Sequence, residues 1–398
     1  MNFRKITDGV FYAGVNDRVT TRFEALWPIP KGVSYNAYVV KGTDKTALID
    51  AVRIDEVREF LSNLKAIGGA IDYIVINHME PDHSGSIPEV IQTYPNIKIV
   101  GNAQTIKMVK GYYHIDDPER FHEVKEGDTI DLGGKTLKFI LTPMVHWPET
   151  MMTWLEEDKV IFTGDACGTF GALNGGVVDT EMDTDWYFPE MRRYYWNIVG
   201  KYSKFANRAL QKLTQMELNA NFICPTHGPV WHERIKDVID LYTEMSSNQC
   251  HEGATIIYGS MYGNTAEMAE VIARALAEQG VRNIKIHNAT TSELSDMITD
   301  AFTYKCLIVG CATYSMRIFP PVEAFLNAIE TREMHDRVFA TFGGYTWAKS
   351  AVSNELIKYS ERMNLPIVAT AIMEHAMSEE SLKQARDLAK KVYSAMKS

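Results

Sequence analysis

The sequence holds only five cysteines, Cys167, Cys224, Cys250, Cys306 and Cys311, and no two of them form a C-x-x-C pair. That spacing excludes a disulfide framework, a thiolate zinc site and an iron–sulfur site as organising features. No apolar run approaches the roughly 18 residues that a membrane span needs. The N-terminal stretch MNFRKITDGVFYAG lacks the apolar core and small-residue cleavage site of a secretory signal, so the cytoplasm is the expected compartment. Surplus positive charge is missing too. A net charge of -10 disfavours nucleic acid as a partner, because a phosphate backbone demands a basic face. There is no internal repeat and no low-complexity tract. Neither G-x-x-x-x-G-K-[ST] nor G-x-G-x-x-G occurs, which disfavours nucleoside triphosphate and dinucleotide sites.

What is present fits two domains. A chain of 398 residues exceeds the usual single domain, and its 45% hydrophobic and 23% charged fractions are those of a globular protein. From residue 34 to about 230, short segments such as SYNAYVVKG, KTALIDA, IDYIVIN, IKIVG, TLKFILT and KVIFTGDA read as strands. Between them, Val57, Phe60, Leu61, Leu64 and Ile67 recur at helical spacing. A second amphipathic helix is predicted over 235–245, after which SSNQCHEG breaks the pattern. The expected domains are therefore 1–249 and 250–398. In the second, strands and helices alternate five times, which implies a doubly wound parallel sheet with both faces covered.

The turn after the first strand of that sheet reads GSMYGNTAEMA and opens a helix. Free backbone N–H groups and the helix dipole make such a turn a phosphate site. Ser260, Met261, Tyr262, Gly263, Asn264 and Thr265 form it, with hydroxyl and amide donors and a glycine that permits close approach. Two later strand ends supply further contacts: CATYSMRIF, with Ala312, Thr313, Tyr314 and Ser315, and FGGYTWAKS, with Gly343, Gly344, Tyr345, Thr346 and Trp347. Ligands bind at these carboxyl ends in this architecture. The hydroxyl-rich, lysine-free loop resembles that of the flavodoxins, which implies FMN, with Tyr262 standing where many flavodoxins carry a third hydroxy-amino acid.

The first domain carries NHMEPDHSGS directly after IDYIVI. Alternation along an extended segment predicts that His78, Glu80 and Asp82 face one side, with His83 turning in ahead of a helix near residues 84–86. Three more strand ends bring His146 in MVHWPET, Asp165 in FTGDA and His227 in CPTHGP. Four imidazoles and three carboxylates suffice for two metal ions sharing one carboxylate, for which Asp165 is the candidate. Trp147 and Tyr195 could flank the pocket; aromatic core packing, with a helix over 188–210, is the alternative for either.

The pattern resembles the metallo-β-lactamase superfamily signature H-x-H-x-D-H with distant His, Asp and His, except that position 80 is Glu. A hard anionic oxygen in place of a neutral nitrogen favours iron or manganese over zinc. Together with the flavodoxin-like half, this resembles the flavodiiron proteins, also called A-type flavoproteins, along almost the whole chain. The resemblance implies an αββα sandwich joined to a flavodoxin-like five-stranded sheet, and two non-haem irons. It assigns His78, Glu80 and His146 to one iron, Asp82, His83 and His227 to the other, and Asp165 to both. It also implies reduction of dioxygen to water, of nitric oxide to nitrous oxide, or both, in a head-to-tail homodimer or dimer of dimers. With no rubredoxin module read in the sequence, the electron donor is expected to be a separate rubredoxin-like protein. A zinc hydrolase fused to a flavodoxin-like module is the alternative.

Overall fold

A computed structural model describes residues 3–349 and 351–398; Met1, Asn2 and Ser350, the last residue of FGGYTWAKS, lie outside the described residues. The chain divides into two compact units, residues 1–247 and 248–398.

The first unit is built on two sheets. One has seven strands in the order Arg4–Thr7, Val10–Tyr12, Tyr38–Lys41, Thr46–Ile49, Tyr73–Val75, Lys98–Gly101 and Phe121–Glu123. The other has five, Thr129–Asp131, Thr136–Leu141, Met151–Leu155, Val160–Gly164 and Phe222–Pro225. Alternate residues of both sheets, among them Val40, Ile49, Val75, Phe139, Leu155 and Phe162, merge into one core. Helices carry apolar stripes of their own: Val57–Ile67 buries Phe60 and Leu64 together with Asn63, whose amide donates to Gly14 O at 3.1 Å. The result is the αββα sandwich expected.

The helix predicted over 188–210 is not continuous. Tyr187–Tyr194 is α-helical, Tyr195–Val199 widens into a π turn, Gly200–Tyr202 tightens to 3-10, and a second α-helix runs from Ser203 to Gln215. A π turn advances the chain by more residues per revolution, so faces before and after it lose register.

The second unit is one parallel sheet. Its strands lie in the order Ile284–Asn288, His251–Gly259, Tyr304–Ala312, Val338–Tyr345 and Ile367–Glu374, so the second strand in sequence occupies the edge and the first sits beside the third. This is the flavodoxin-like arrangement, and its topological switch falls between the first and third strands. Continuous apolar strands such as Cys306–Cys311 are buried because helices cover both faces.

Candidate functional site

In the first unit, four residues of NHMEPDHSGS meet side chains that follow three distant strands. The buried carboxylate of Asp50 anchors the run, accepting from the backbone N–H of Asn77 at 2.8 Å and of His78 at 3.3 Å. Beyond Glu80 the extended path ends, because Pro81 opens a short helix, Pro81–Ser84. Proline is pre-set for the first helical position and gives up no needed donor there. This corrects the expectation that His78, Glu80 and Asp82 share one side: Asp82 already lies in the helical turn and faces elsewhere.

Two groups of ligand atoms result, each within 4.8 Å: His78, Glu80, His146 and Asp165, and Asp82, His83 and His227. Asp165 Oδ2 lies 3.0 Å from His146 Nε2 and 3.5 Å from His78 Nε2. Its other oxygen, Oδ1, lies 3.0 Å from His83 Nε2 and 3.7 Å from His227 Nε2. One carboxylate thus addresses both groups, and Thr226 Oγ1 fixes it with a 2.6 Å hydrogen bond to Oδ1. Glu80 Oε2 is 3.2 Å from both His78 Nε2 and His146 Nε2.

The donor set fits metal ions by a stricter criterion than proximity. Both Asp82 oxygens, both His83 nitrogens and His227 Nε2 are buried and make no hydrogen bond. Buried polar atoms are otherwise nearly always paired, so lone pairs that converge in this way fit a shared cation. Without one, burial disfavours the imidazolium of His146, yet its hydrogen bonds to the carboxylates of Asp165 and Glu80 push its pKa up to about 9. For His83, the carboxylates of Asp82 and Asp165 likewise overcome burial and push it up to about 10. Burial would raise the Asp82 carboxyl, but His83 and His227 hold it well below the usual range.

Ring orientation is set from behind. His78 Nδ1 donates to Glu149 Oε1 at 2.8 Å, and Met79 N–H donates to the same oxygen. His227 Nδ1 donates to Ser34 O at 2.7 Å. Both bonds leave Nε2 as the inward atom, a common arrangement behind metal-bound histidines. Glu149 was missed in the sequence although it lies three residues after His146, because nothing in its spacing separates it from a surface acid.

Trp147 does flank the site, its ring perpendicular to that of His78 at 5.3 Å. Tyr195 does not. Its hydroxyl donates to Ser203 Oγ at 2.9 Å and its ring packs on Tyr242. The neighbouring Tyr194 takes the place expected of it: its ring lies 5.5 Å from that of His227, and its hydroxyl is buried without a hydrogen-bond partner. Burial, then the charges of Asp165 and Asp82, push its pKa well up, so the hydroxyl keeps its proton. The turn Phe23–Glu24–Ala25 closes another wall. Phe23 packs edge-on against His227 at 5.2 Å, while burial and the Glu80 carboxylate push Glu24 up to about 7. A cavity of about 510 Å³ opens over Glu80 and Asp82; charged Arg22, Glu24, Arg53 and Asp55 line it beside Phe23, Tyr35 and Ile54.

The second unit has its own cavity, about 480 Å³, at the carboxyl ends of its strands. Of the residues expected there, Ser260, Met261, Tyr262, Asn264, Thr265, Ala312, Thr313, Tyr314, Ser315, Gly344, Tyr345, Thr346 and Trp347 line it, and Met316, Ala348, Met373 and His375 join them. Gly263 and Gly343 are not in the lining. Gly263 shapes the loop with a φ of +97°, its N–H donating to Ser260 Oγ at 3.1 Å. Gly343 admits the packing of Val352, which a Cβ would approach to 3.2 Å. The Asn264 side chain donates to His375 O at 3.0 Å, so it ties two loops together. Tyr262 is 90% and Trp347 85% exposed, which leaves large aromatic faces uncovered around a helix N-terminus, as a flat, phosphate-bearing ligand requires.

Comparison with known proteins matches residues 33–228 to the ODP family beta lactamase model and residues 256–359 to the flavodoxin model. An anaerobic nitric oxide reductase flavorubredoxin from Pectobacterium atrosepticum is 35% identical over 81% of this chain, which spans 64% of that relative's length. An uncharacterized protein of Methanocaldococcus jannaschii is 31% identical over 98% of this chain and 97% of its own. Among solved structures, rubredoxin oxygen:oxidoreductase from Desulfovibrio gigas superposes with a TM-score of 0.95 at 27% identity, covering 100% of this chain and 99% of that one. A flavo-diiron protein variant from Thermotoga maritima gives 0.90 at 26% identity, covering 99% and 98%.

Proposed function

Since the chain belongs to the flavodiiron protein family, we propose that it reduces dioxygen to water, nitric oxide to nitrous oxide, or both, drawing electrons through FMN from an external rubredoxin-like donor. The observation that carries this reading is the split of Asp165, one oxygen toward each histidine group, with Glu80 in the group where hydrolase relatives would place histidine. His78, Glu80 and His146 would hold one iron and Asp82, His83 and His227 the other, with Asp165 shared between the two groups. Bound there, a ferrous pair would supply Lewis acidity and electrons for a small diatomic, and FMN would supply the replacement electrons.

The chain's own residues do the rest. Glu149 and Ser34 O hold His78 and His227 in the tautomer that presents Nε2. Tyr194 keeps a protonated hydroxyl beside His227, free to donate to a diatomic oxygen. Both reactions consume protons, and Glu24, hydrogen-bonded by Trp27 Nε1 at 3.0 Å, lines the cavity beside Glu80 as the residue to pass them. In the second unit, the loop Ser260–Thr265 would hold the FMN phosphate, and Tyr314, Gly344 and Trp347, which line the same cavity, would hold its ring. Residues 1–249 make the iron domain and 250–398 the flavin domain. A head-to-tail homodimer in the cytoplasm brings one subunit's flavin to the other's irons. Among the described residues no helix is long and apolar enough to cross a membrane.

The test is anaerobic. Purified protein should contain iron and FMN, and after reduction it should consume one or both gases. Zinc in place of iron, with hydrolysis in place of gas uptake, would support the fused hydrolase and refute the proposal.

A further inference from the structure

The first unit holds another cavity, of about 200 Å³, that belongs to neither polar site. It runs between the helices Ser203–Gln215 and Ile235–Ser246 and the five-stranded sheet. Its outer part is formed by half-buried Leu210, Leu213, Ile235 and Ile239, with Thr214 and Thr243 exposed at the rim. Its floor is buried and made by Val145, Ala166 and Cys167. Those residues adjoin His146 and Asp165. The cavity is therefore a funnel from the surface to the backs of the two loops that carry these ligands.

The funnel has little to offer water. Thr163 Oγ1 donates to Ala166 O at 2.6 Å, Thr214 Oγ1 to Leu210 O at 2.9 Å, and the Tyr242 hydroxyl faces Asp165 O at 3.5 Å. No Asp, Glu, Lys, Arg or His side chain lines the funnel. A water needs two to four polar partners, whereas apolar cavities near this size stay dry and take up benzene or xenon. Small uncharged diatomics are apolar solutes of the same kind. The cavity over Glu80 and Asp82, lined by arginines and carboxylates, suits water and protons instead.

We propose that this funnel is an apolar gas site that concentrates the diatomic substrate behind the His146 and Asp165 loops and feeds it to the metal centre. The inference rests on the functional reading above, so its test includes a measurement independent of turnover. Xenon under pressure should give a bound peak in the funnel of the full-length protein. Ala209→Phe, on the funnel wall, should abolish that peak, leave iron and FMN content unchanged, and raise KM for dioxygen or nitric oxide about threefold or more at unchanged kcat. Ala206→Leu, deeper in the same wall, repeats the test should the larger side chain unfold the helix. Absence of xenon from the funnel would overturn the site. An unchanged KM in variants that exclude xenon would overturn its feeding role. If the loaded protein consumed neither gas, the functional reading would fall and the feeding role with it, while the xenon peak would still decide whether the site exists.

Discussion

Glu149 shows how a single buried side chain governs a ligand it does not replace. It holds His78 through one oxygen, and its backbone carbonyl is held in turn by Asn102 Nδ2 at 2.6 Å, a bond that survives truncation of the side chain. Glu149→Ala should therefore leave the loop in place, free the His78 ring, and weaken metal binding about 10- to 100-fold, read by competition with a chelator. Glu149→Gln, which keeps an acceptor, should lose less. Tyr194→Phe tests the opposite case. A buried hydroxyl without a partner costs about 1–3 kcal/mol, so the variant should melt at the same temperature or higher. Turnover should fall about tenfold if that hydroxyl donates to the reacting diatomic. Loss of stability together with unchanged turnover would assign Tyr194 a packing role only.

At the scale of elements, each ligand leaves the end of a strand, and the turn that follows decides its direction. The same holds in the flavin unit, where Gly263 sits in the left-handed region with no atom within 4 Å of a built Cβ. Gly263→Ala should cost about 1–2 kcal/mol from backbone conformation alone and weaken FMN binding, measured by flavin fluorescence and denaturant unfolding. Strand and helix periodicity made most of this legible: the five alternations of the second unit correspond to its five strands. The seven clustered groups were legible because their residue types recur at strand ends. What stayed hidden depended on turns. Tyr194 rather than Tyr195 reaches the site because no sequence periodicity announces where a helix meets a π turn. Asp82 changes direction because alternation holds only as far as the chain stays extended, and Pro81 ends that stretch.

For the whole molecule, two units with separate apolar cores predict two responses to ligands. Calorimetry of the full chain should show metal removal lowering one transition and FMN removal lowering the other, since each ligand stabilises the fold it binds. pH should act on the metal-free first unit with a defined sign. His146 and His83 rise from about 6.5 to about 9 and about 10 in the folded state. Their contribution is complete below about pH 6.5 and is lost as pH climbs through 9 and 10. Metal-free protein should thus lose melting temperature across that window. The loaded protein should lose less, because metal binding has already displaced the protons. A metal-free melting temperature that rose with pH would contradict the assignment.

The helix start at Pro81 has a consequence for how this centre can change over generations. Glu80 and Asp82 are separated by one residue, yet they fall in different groups of converging ligand atoms. Substitution at 80 can retune one ion's chemistry while its neighbour keeps its ligands, so the two halves of the motif are separately editable. Insertion or deletion between them is another matter, for it would rotate every later ligand in the run away from its ion. The motif can vary its letters, but its spelling length is fixed.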